Sequence, residues 1–313
     1  MINFFDFIYF KLRHNKNEII FFKSFLRFSL RVLVNKILKI YLIFNKIKLE
    51  TNKSPKINNK PLLIVSLTSF PARIENLWMV IESIFLQEKK PDRIILWLSK
   101  ENFSSLDQLP NRLLNQMKRG LEIKLRDDDL KSHKKYFYAL QEYPHDIVVT
   151  LDDDVIYNSK VLKTLWDLHL EFPNSVTCNN ATLIKSKQNI ILPYKSWSEC
   201  KSSIPSYYVF PIGVGGVLYP PNSINKIAFN INTIKSTCFF ADDIYLNTMT
   251  KLNNCMAVCS NLRTAYIPVL YKKNSILTEV NVNQGLNDKQ LTKIREFCVN
   301  ELNKDPFNFT LND

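Results

Sequence analysis

The sequence predicts an α/β fold with a mostly parallel, helix-covered sheet, and three observations lead to this prediction. Short apolar, β-branched runs alternate with segments of helical length, which is typical of parallel sheets. One of these runs, residues 146–151, shows no alternation of polar and apolar residues, as expected of a strand buried on both faces. At 313 residues, with 46% hydrophobic and 23% charged residues, the chain can bury a large core.

Residues 1–50 differ from the rest of the chain in charge and in pattern. Residues 1–60 hold 13 Lys and Arg against 3 Asp and Glu, a balance of +10, which leaves +3 of the total +13 for the other 253 residues. Apolar and charged residues interleave here without Gly or Pro, and Lys23, Arg27 and Arg31 form a stripe at i, i+4, i+8. A bilayer span needs about 20 nearly uncharged residues. We therefore expect a basic amphipathic helix that lies on an anionic membrane surface.

Two alternatives remain open for this segment. The first is a long helix packed on the protein's own body with a solvated basic rim, and the second is a nucleic-acid-binding stripe, which no motif supports. If the membrane interpretation holds, deleting residues 1–50 should leave a soluble and active protein.

No cleavable secretory signal is evident, and the six cysteines contain no CxxC pair. The expected location is cytoplasmic, peripheral on the inner face of the cytoplasmic membrane.

The remaining elements are predicted in chain order. Residues 51–60, polar and containing Pro55, are expected to form a linker. Strands are expected at 61–67, 93–98, 121–125, 146–151 and 265–269, and helices at 74–87, 107–119, 131–142, 158–170, 242–251 and 288–303. Right-handed crossovers bring the loops that follow successive parallel strands to one edge of the sheet. After Leu170 the pattern loosens into loops and short strands.

The run Asp152-Asp153-Asp154 follows the buried strand directly. Ligands of open α/β sheets bind at the carboxyl edge of the strands. Adjacent carboxylates raise each other's pKa unless a cation lies among them, and oxygen ligands suit magnesium or manganese. We expect a divalent-metal site for a phosphate-bearing substrate, and the alternative is a hydrated turn with an Asp as helix N-cap.

Two further features are weaker signals. Three of the five glycines lie within Gly213–Gly216, which indicates either a close approach of the backbone to a ligand or a tight bend between strands. Asp242-Asp243 opens a helix, where acidic residues are common without any function.

The order of these pieces resembles the nucleotide-sugar-dependent glycosyltransferases with the GT-A fold, particularly the large inverting family that includes many bacterial polysaccharide enzymes. Val65–Pro71 with Arg73 looks like the first strand and loop of that family, Lys134-Lys135 resembles its lysine-bearing helix, and Asp152-Asp153-Asp154 resembles its DxD metal motif. Gly215-Gly216 and Asp242-Asp243 resemble its later glycine pair and acidic pair. Capsular and lipooligosaccharide transferases carry a similar Leu67–Pro71 start and a similar Ala241–Ile244 stretch. The resemblance covers roughly residues 60–270.

The resemblance implies a GT-A-like catalytic domain at 61–275, with a nucleotide-sugar half at 61–155, an acceptor half at 156–275, and a C-terminal helix and tail at 276–313. It implies a metal-dependent, inverting, hexosyltransferase-type enzyme of bacterial capsule or lipooligosaccharide synthesis. Its partners would be a nucleotide-sugar donor and a saccharide or lipid-linked saccharide acceptor, with no nucleic acid.

The resemblance also implies a role for each matched residue. Manganese or magnesium would be held by Asp152 and Asp154, and Asp243 would be the base, assisted by Asp242. The donor would be bound by Thr68, Arg73, Lys134, Lys135, Asp152 and Asp153, and the acceptor by Trp197, Gly215 and Gly216. Sugar stacking on Trp197 and on Tyr207 is a further expectation, although aromatic residues in loops also simply pack.

The chain departs from the family at one place. The Asp pair that commonly follows the second strand is replaced by Leu98–Glu101, and Asp127–Asp129 is either its substitute or a solvated turn. The identity of the nucleotide in the donor therefore stays open. A rival class is a metal-dependent nucleotidyl- or phosphotransferase, for which no Gly-rich phosphate loop is present. An inactive membrane-bound scaffold is a third possibility.

Overall fold

The structure is a computed structural model and describes residues 1–14, 20–45, 60–187, 190–260, 262, 266–271 and 285–308. The described helices are α1 Ile2–His14, α2 Ile20–Phe44, α3 Pro71–Ile74, α4 Leu77–Phe85, α5 Asn111–Met117, α6 Lys134–Glu142, α7 Val161–Glu171, α8 Ile231–Thr237, α9 Asp242–Leu252 and α10 Leu286–Leu302. The described strands are β1 Leu63–Thr68, β2 Arg93–Ser99, β3 Leu121–Arg126, β4 Ile147–Thr150, β5 Val155–Ile156, β6 Val176–Cys178, β7 Ala181–Leu183, β8 Ser186–Lys187, β9 Ile190–Ile191, β10 Ser198–Glu199, β11 Val209–Pro211, β12 Val217–Tyr219, β13 Ala257–Cys259 and β14 Ile267–Pro268.

The central sheet has seven strands in the order β13-β6-β12-β4-β1-β2-β3. Every neighbouring pair in it is parallel except the two made by β12, which runs antiparallel to β4 and to β6. The predicted mixed α/β class with a mostly parallel sheet is therefore confirmed. Because β1, β2, β3 and β4 are parallel, the loops that follow them meet at one edge of the sheet.

Helices cover both faces of this sheet. Successive strand residues point to opposite sides, so the apolar residues of one strand contribute to the core on each face. Val65 and Leu67 belong to a core shared with α4, whereas Ile64 packs with Trp97 and with Ala139 of α6. A separate core lies around α8, α9 and α10. Smaller sheets, β10-β7-β11, β14-β5 and β8-β9, complete the second half of the chain.

Two of the predicted helices are shorter than expected. The helix expected at 107–119 is a 3₁₀ turn, Leu106–Gln108, followed by α5, because Leu109 precedes Pro110 and adopts extended backbone. The helix expected at 74–87 is divided into α3 and α4, which meet at Glu75-Asn76. The late strand expected at 265–269 is only the two-residue β14, paired with β5.

The N-terminal segment forms two helices, and α2 packs into the same core as α4. Val34, Leu38 and Leu42 are fully buried there. The Nη2 of Arg31 donates to the carbonyl oxygen of Val269 at 2.9 Å, and the Nδ2 of Asn35 donates to that of Pro268 at 3.0 Å. Arg31 was expected to face an anionic membrane surface together with Lys23 and Arg27, but it binds the protein's own backbone, so that expectation is wrong at Arg31. This face of α2 supports the alternative of a helix packed on the protein's own body.

Removing residues 1–50 would uncover this core, so we no longer expect that truncation to leave a folded protein. Within the described part of the chain, no helix is long and apolar enough to cross a membrane. Residues 51–59 of the predicted linker and residues 276–284 and 309–313 of the predicted C-terminal helix and tail lie outside the described residues, and so does the side chain of Lys23.

Candidate functional site

The two acidic clusters that the sequence singles out, about 90 residues apart, meet at the side chain of Lys135. Its Nζ lies 2.8 Å from Asp152 Oδ1 and 2.8 Å from Asp242 Oδ2. Lys135 occupies the first turn of α6, and its carbonyl oxygen accepts a hydrogen bond from the hydroxyl of Ser66 on β1. Trp97 Nε1 on β2 donates to the same hydroxyl at 2.8 Å. The lysine is thus fixed to the central strands just below their carboxyl edge.

The charge of Lys135 is stabilised by its carboxylate neighbours. Burial lowers its pKa, but the charges of Asp152, Asp242 and Asp243 outweigh burial and raise its pKa well above the ordinary value. Its side chain is only 5% exposed. A buried ammonium ion needs such partners to remain charged. Lys135 is therefore a permanent positive charge at the centre of the site.

Asp154 is the most accessible carboxylate of the first cluster. Its side chain is 36% exposed and that of Asp152 is 28% exposed, whereas that of Asp153 is only 7% exposed. Burial, together with the charges of Asp152 and Asp153, raises the pKa of Asp154 to about 6, against the opposing effect of Arg73. The environment therefore disfavours the negative charge of Asp154, and an added cation would stabilise it.

Asp153 points inward and orients the loop. It accepts hydrogen bonds from Ser69 Oγ at 2.6 Å and from Arg73 Nη1 at 2.6 Å, and its backbone oxygen accepts from Tyr271 Oη at 2.6 Å. Arg73 Nη1 also lies 3.0 Å from Asp154 Oδ2. The direct donor contacts predicted for Asp153 and Arg73 remain predictions. In this structure Arg73 already bridges two of the three carboxylates.

Asp243 lies in the first turn of α9, beside Gly213. The backbone N–H of Gly213 donates to Asp243 Oδ2 at 3.1 Å. A Cβ atom at Gly213 would lie 3.0 Å from Asp243 Oδ1, 3.3 Å from Lys135 Nζ and 3.5 Å from Asp152 Oδ1. Gly213 thus touches both acidic clusters, and the absence of a side chain there allows them to approach each other.

The members of the acidic pair titrate differently. Burial and the charge of Asp242 together raise the pKa of Asp243 to about 7, against the opposing effect of Lys135. For Asp242, burial is opposed by Lys135, His133 and a hydrogen bond from Ser132, which together hold its pKa below the ordinary value. One carboxylate is therefore held ionised while its neighbour accepts a proton near neutral pH, which is the property of a general base.

Lys134 and Lys135 point to different places, a distinction that sequence alone does not make. Lys134 Nζ pairs with Asp129, which also binds Lys131 Nζ at 2.5 Å. These lysines hold the pKa of Asp129 at about 2, although burial opposes them. Asp127 and Asp128 are exposed at the end of β3. Lys134 therefore fixes the loop of Asp127–Asp129, and of the two lysines only Lys135 reaches the acidic clusters.

The residues predicted to bind the acceptor lie mostly in the interior. Trp197 is 7% exposed, donates from Nε1 to the oxygen of Leu192 at 2.9 Å, and packs against Tyr194 and Phe210. Gly216 has φ +84° and faces Leu151, and Gly215 faces Asn180 and Tyr266. The expected stacking surface at Trp197 is thus occupied by core contacts. For the glycine stretch, the sequence leaves two interpretations open, a close approach to a ligand or a tight bend. The positive φ of Gly216 agrees with the tight bend.

The hydroxyl of Thr68, at the end of β1, donates to the oxygen of Trp97 at 2.8 Å. Two polar residues near the site were not selected from the sequence. Tyr194 is half-buried, and burial together with the charge of Asp243 raises its pKa. Ser132 supports Asp242. Neither residue stands in a motif, since Tyr194 lies on a 3₁₀ turn far from both clusters along the chain.

The residues present fit a divalent cation with few protein ligands. Among the described residues, no group of three or more His, Cys, Asp or Glu side chains converges to form a complete metal site. Asp154 and Asp152 offer partly exposed carboxylate oxygens that other carboxylates crowd. Magnesium and manganese accept one or two carboxylates and complete their coordination with water and substrate phosphate. A cation held in this way would remain accessible to a ligand.

Comparisons with known proteins give a likeness to solved structures alone. No family model matches the sequence, and no curated protein matches it. A 4-diphosphocytidyl-2C-methyl-D-erythritol synthase structure matches with TM-score 0.43 and 9% identity over 71% of this chain and 99% of that chain. HddC from Yersinia pseudotuberculosis matches with TM-score 0.33 and 12% identity over 54% and 78% of the two chains. A cytidylyltransferase from Leptospira borgpetersenii matches with TM-score 0.30 and 19% identity over 38% and 53%.

Proposed function

We propose that this protein is a metal-dependent transferase that moves a sugar from a nucleotide-diphosphate donor to a hydroxyl group of an acceptor. The observation that carries the proposal is the junction at Lys135, whose Nζ contacts Asp152 and Asp242 at 2.8 Å each. This junction brings a candidate cation site and a candidate base together at the carboxyl edge of a mostly parallel sheet, where ligands of such sheets bind.

The donor side of the site would be Asp152, Asp154, Lys135 and Arg73. Magnesium or manganese held by Asp152 and Asp154 would supply neutralising charge for the diphosphate leaving group. Lys135 is a compact buried cation next to these carboxylates. Arg73, which bridges Asp153 and Asp154, has the planar, five-donor side chain that binds phosphate oxygens well. A bound diphosphate would thus meet positive charge from the cation and from two side chains.

The acceptor side would be Asp243. Its pKa of about 7 matches the requirement for a base that is ionised near neutral pH and still takes a proton from an acceptor hydroxyl. Asp242, held ionised by Lys135, keeps the pKa of its neighbour high and so acts as a positioning residue. A single base is the arrangement expected of an inverting enzyme. The saccharide acceptor, and a place in capsule or lipooligosaccharide synthesis, rest on the sequence resemblance.

Nucleotidyl transfer is the second candidate, and the names of two similar structures, a diphosphocytidyl synthase and a cytidylyltransferase, are the reason to test it. It would use the same carboxylates and Lys135 to bind a nucleoside triphosphate. A phosphate acceptor is already ionised and needs no general base. Asp243 is placed beside the cluster by its hydrogen bond from the Gly213 N–H and could serve a hydroxyl acceptor as base, and this position is our reason to propose sugar transfer before the alternative.

Asp154→Ala should abolish metal-dependent nucleotide binding and leave the fold intact. In the wild-type protein, nucleoside diphosphates such as UDP or GDP should raise the melting temperature only with manganese or magnesium present. Because the pKa of Asp154 is raised to about 6, the folded protein binds this proton more tightly than the unfolded chain, and the ionised carboxylate costs stability above that pH. The variant without metal should therefore be as stable as the wild type at pH 7.5, or more stable.

Asp167→Ala is the matched control, since Asp167 is an exposed carboxylate whose ion pair in the described part of the chain is with Lys163 on α7. It should keep the full metal-dependent shift. Retention of that shift by Asp154→Ala at moderate metal concentration would refute the metal assignment. Stabilisation by nucleoside triphosphates without any response to diphosphates would favour nucleotidyl transfer.

A further inference from the structure

The exposed apolar side chains of this protein are concentrated on its two N-terminal helices. Among the described residues, thirteen large hydrophobic side chains are exposed, and seven of them lie in α1, α2 or at Met1. These seven are Met1, Phe4, Phe7, Phe28, Leu33, Ile40 and Phe44. Single exposed apolar residues are ordinary, whereas their concentration on two helices that contact each other is typical of an interaction surface.

On α2 the exposed apolar residues lie on one face. At about 100° per residue, Phe28, Leu33, Ile40 and Phe44 fall within one half of the helix circumference, opposite Val34, Leu38 and Leu42. Phe28 is 61% exposed, Ile40 60% and Phe44 80%, whereas the opposite three are fully buried in the core. The helix thus has two apolar faces, and the protein covers only one of them.

The charge of this surface is positive. Lys36 and Lys39 are exposed on the same half of α2 as Phe28 and Ile40. Residues 1–45 contain only two acidic residues, Asp6 and Glu18. Asp6 is 2% exposed and accepts a hydrogen bond from Asn158 at 3.1 Å. Among the described residues of this segment, no acidic side chain is therefore exposed to offset the lysines.

We propose that the exposed face of α1 and α2 binds the surface of an anionic lipid bilayer. Aromatic and aliphatic side chains enter the interfacial region, and the lysines contact anionic headgroups, which is how basic amphipathic helices bind membranes. Because α2 keeps its other face in the protein core, the helices lie along the bilayer surface. This inference is independent of the reaction that the acidic site performs.

The buried face of α2 connects this surface to the acidic site. The N–H of Leu270 donates to Asn35 Oδ1 at 3.1 Å, and Arg31 holds the oxygen of Val269. The N–H of Val269 in turn donates to the backbone oxygen of Asp154 at 2.8 Å. The bilayer-binding helix is thus separated from the candidate cation site by one short backbone segment. Binding would hold that site at a fixed position relative to the lipid surface.

Vesicle co-sedimentation tests the proposal with the full-length protein. The wild type should bind vesicles that contain phosphatidylglycerol, and bind phosphatidylcholine vesicles much more weakly. Lys36→Glu/Lys39→Glu should weaken binding to the anionic vesicles at least about tenfold, with little effect on the neutral ones. Phe28→Ser/Ile40→Ser/Phe44→Ser should remove the part of the binding that persists at high salt, because apolar insertion is not screened.

Matched controls place comparable substitutions at exposed positions outside α1 and α2. Lys118→Glu/Lys235→Glu and Leu170→Ser/Ile204→Ser should bind as the wild type does, since these residues are exposed elsewhere. All five proteins should melt at similar temperatures and have the same mass in solution. Wild-type binding no stronger to anionic than to neutral vesicles, or equal loss in the controls, would overturn the proposal. So would a change of oligomeric state in the α2 variants, which would show that a second copy covers this face.

Discussion

Lys135→Met should cause the largest loss of stability among single substitutions at the site. The substitution removes the cation that lies 2.8 Å from both Asp152 and Asp242, and leaves at least three carboxylates close together without it. Removing one partner of a buried ion pair typically costs about 3–5 kcal/mol, because the remaining charge stays buried. Chemical denaturation at pH 7.5 should show a loss of this size in the free energy of unfolding.

The pH dependence of this loss identifies its cause. The folded-state pKa of Asp243, about 7, and of Asp154, about 6, already lie above their ordinary value, and both should rise further without the lysine. A carboxyl group with a raised folded-state pKa binds its proton more tightly in the folded protein, so stability is gained as the pH falls through that pKa. The deficit of Lys135→Met should therefore shrink between pH 7.5 and pH 5.5.

Lys134→Met is the natural control because it removes a buried lysine from the adjacent position. Its partner Asp129 keeps Lys131, whose Nζ lies 2.5 Å away, so the loss of stability should be smaller. Metal-dependent nucleotide binding should survive in Lys134→Met and disappear in Lys135→Met. Equal effects of the two substitutions on nucleotide binding would show that Lys135 has no special place in the site.

Asp243→Asn should lower turnover by a factor of about 10² or more while donor affinity changes little. The amide keeps the shape of the side chain, and its oxygen can still accept the hydrogen bond from the Gly213 N–H, but it cannot take a proton. The wild-type rate should rise with pH through about 7, since the base acts when it is ionised. This limb of the pH–rate profile should be absent from the residual activity of the variant.

Asp242→Asn separates the base from its neighbour. The charge of Asp242 is one reason for the raised pKa of Asp243, after burial. In Asp242→Asn, the rise of the rate with pH should therefore occur at lower pH than in the wild type. A purely structural role for the pair would instead lower the rate at every pH.

If Asp243→Asn lost donor affinity as strongly as turnover, Asp243 would belong to the donor site and the base assignment would be wrong.

The first half of the fold could be predicted from the sequence because its signals are local. The buried runs that become β1, β2 and β4 are continuous and rich in β-branched residues, and an α-helix lies between each of them and the next strand of the central sheet along the chain. The antiparallel insertion of β12 between β4 and β6 could not be predicted, because it depends on pairing between residues nearly 70 positions apart. The same holds for α2, whose buried face is decided by its contacts with α4 and residues 268–270.

In the candidate site, too, features with a local sequence signal could be predicted and features that depend on long-range packing could not. The sequence indicates the acidic runs themselves, since Asp152–Asp154 stands out directly after a buried strand. It does not separate Lys134 from Lys135, because adjacent helix positions point about 100° apart and only the packing of α6 decides which one faces the clusters. Nor does it show that Trp197 is buried, since aromatic residues in loops carry no periodic pattern.

Product analysis tests the proposed reaction most directly. The full-length protein is incubated with manganese, a panel of nucleotide-diphosphate sugars and saccharide acceptors, and in parallel with nucleoside triphosphates and sugar phosphates. Sugar transfer predicts release of a nucleoside diphosphate from one donor, dependent on the metal, abolished in Asp154→Ala and strongly reduced in Asp243→Asn. Release of pyrophosphate from a nucleoside triphosphate, with no nucleoside diphosphate from any nucleotide sugar, would contradict sugar transfer and establish nucleotidyl transfer in its place.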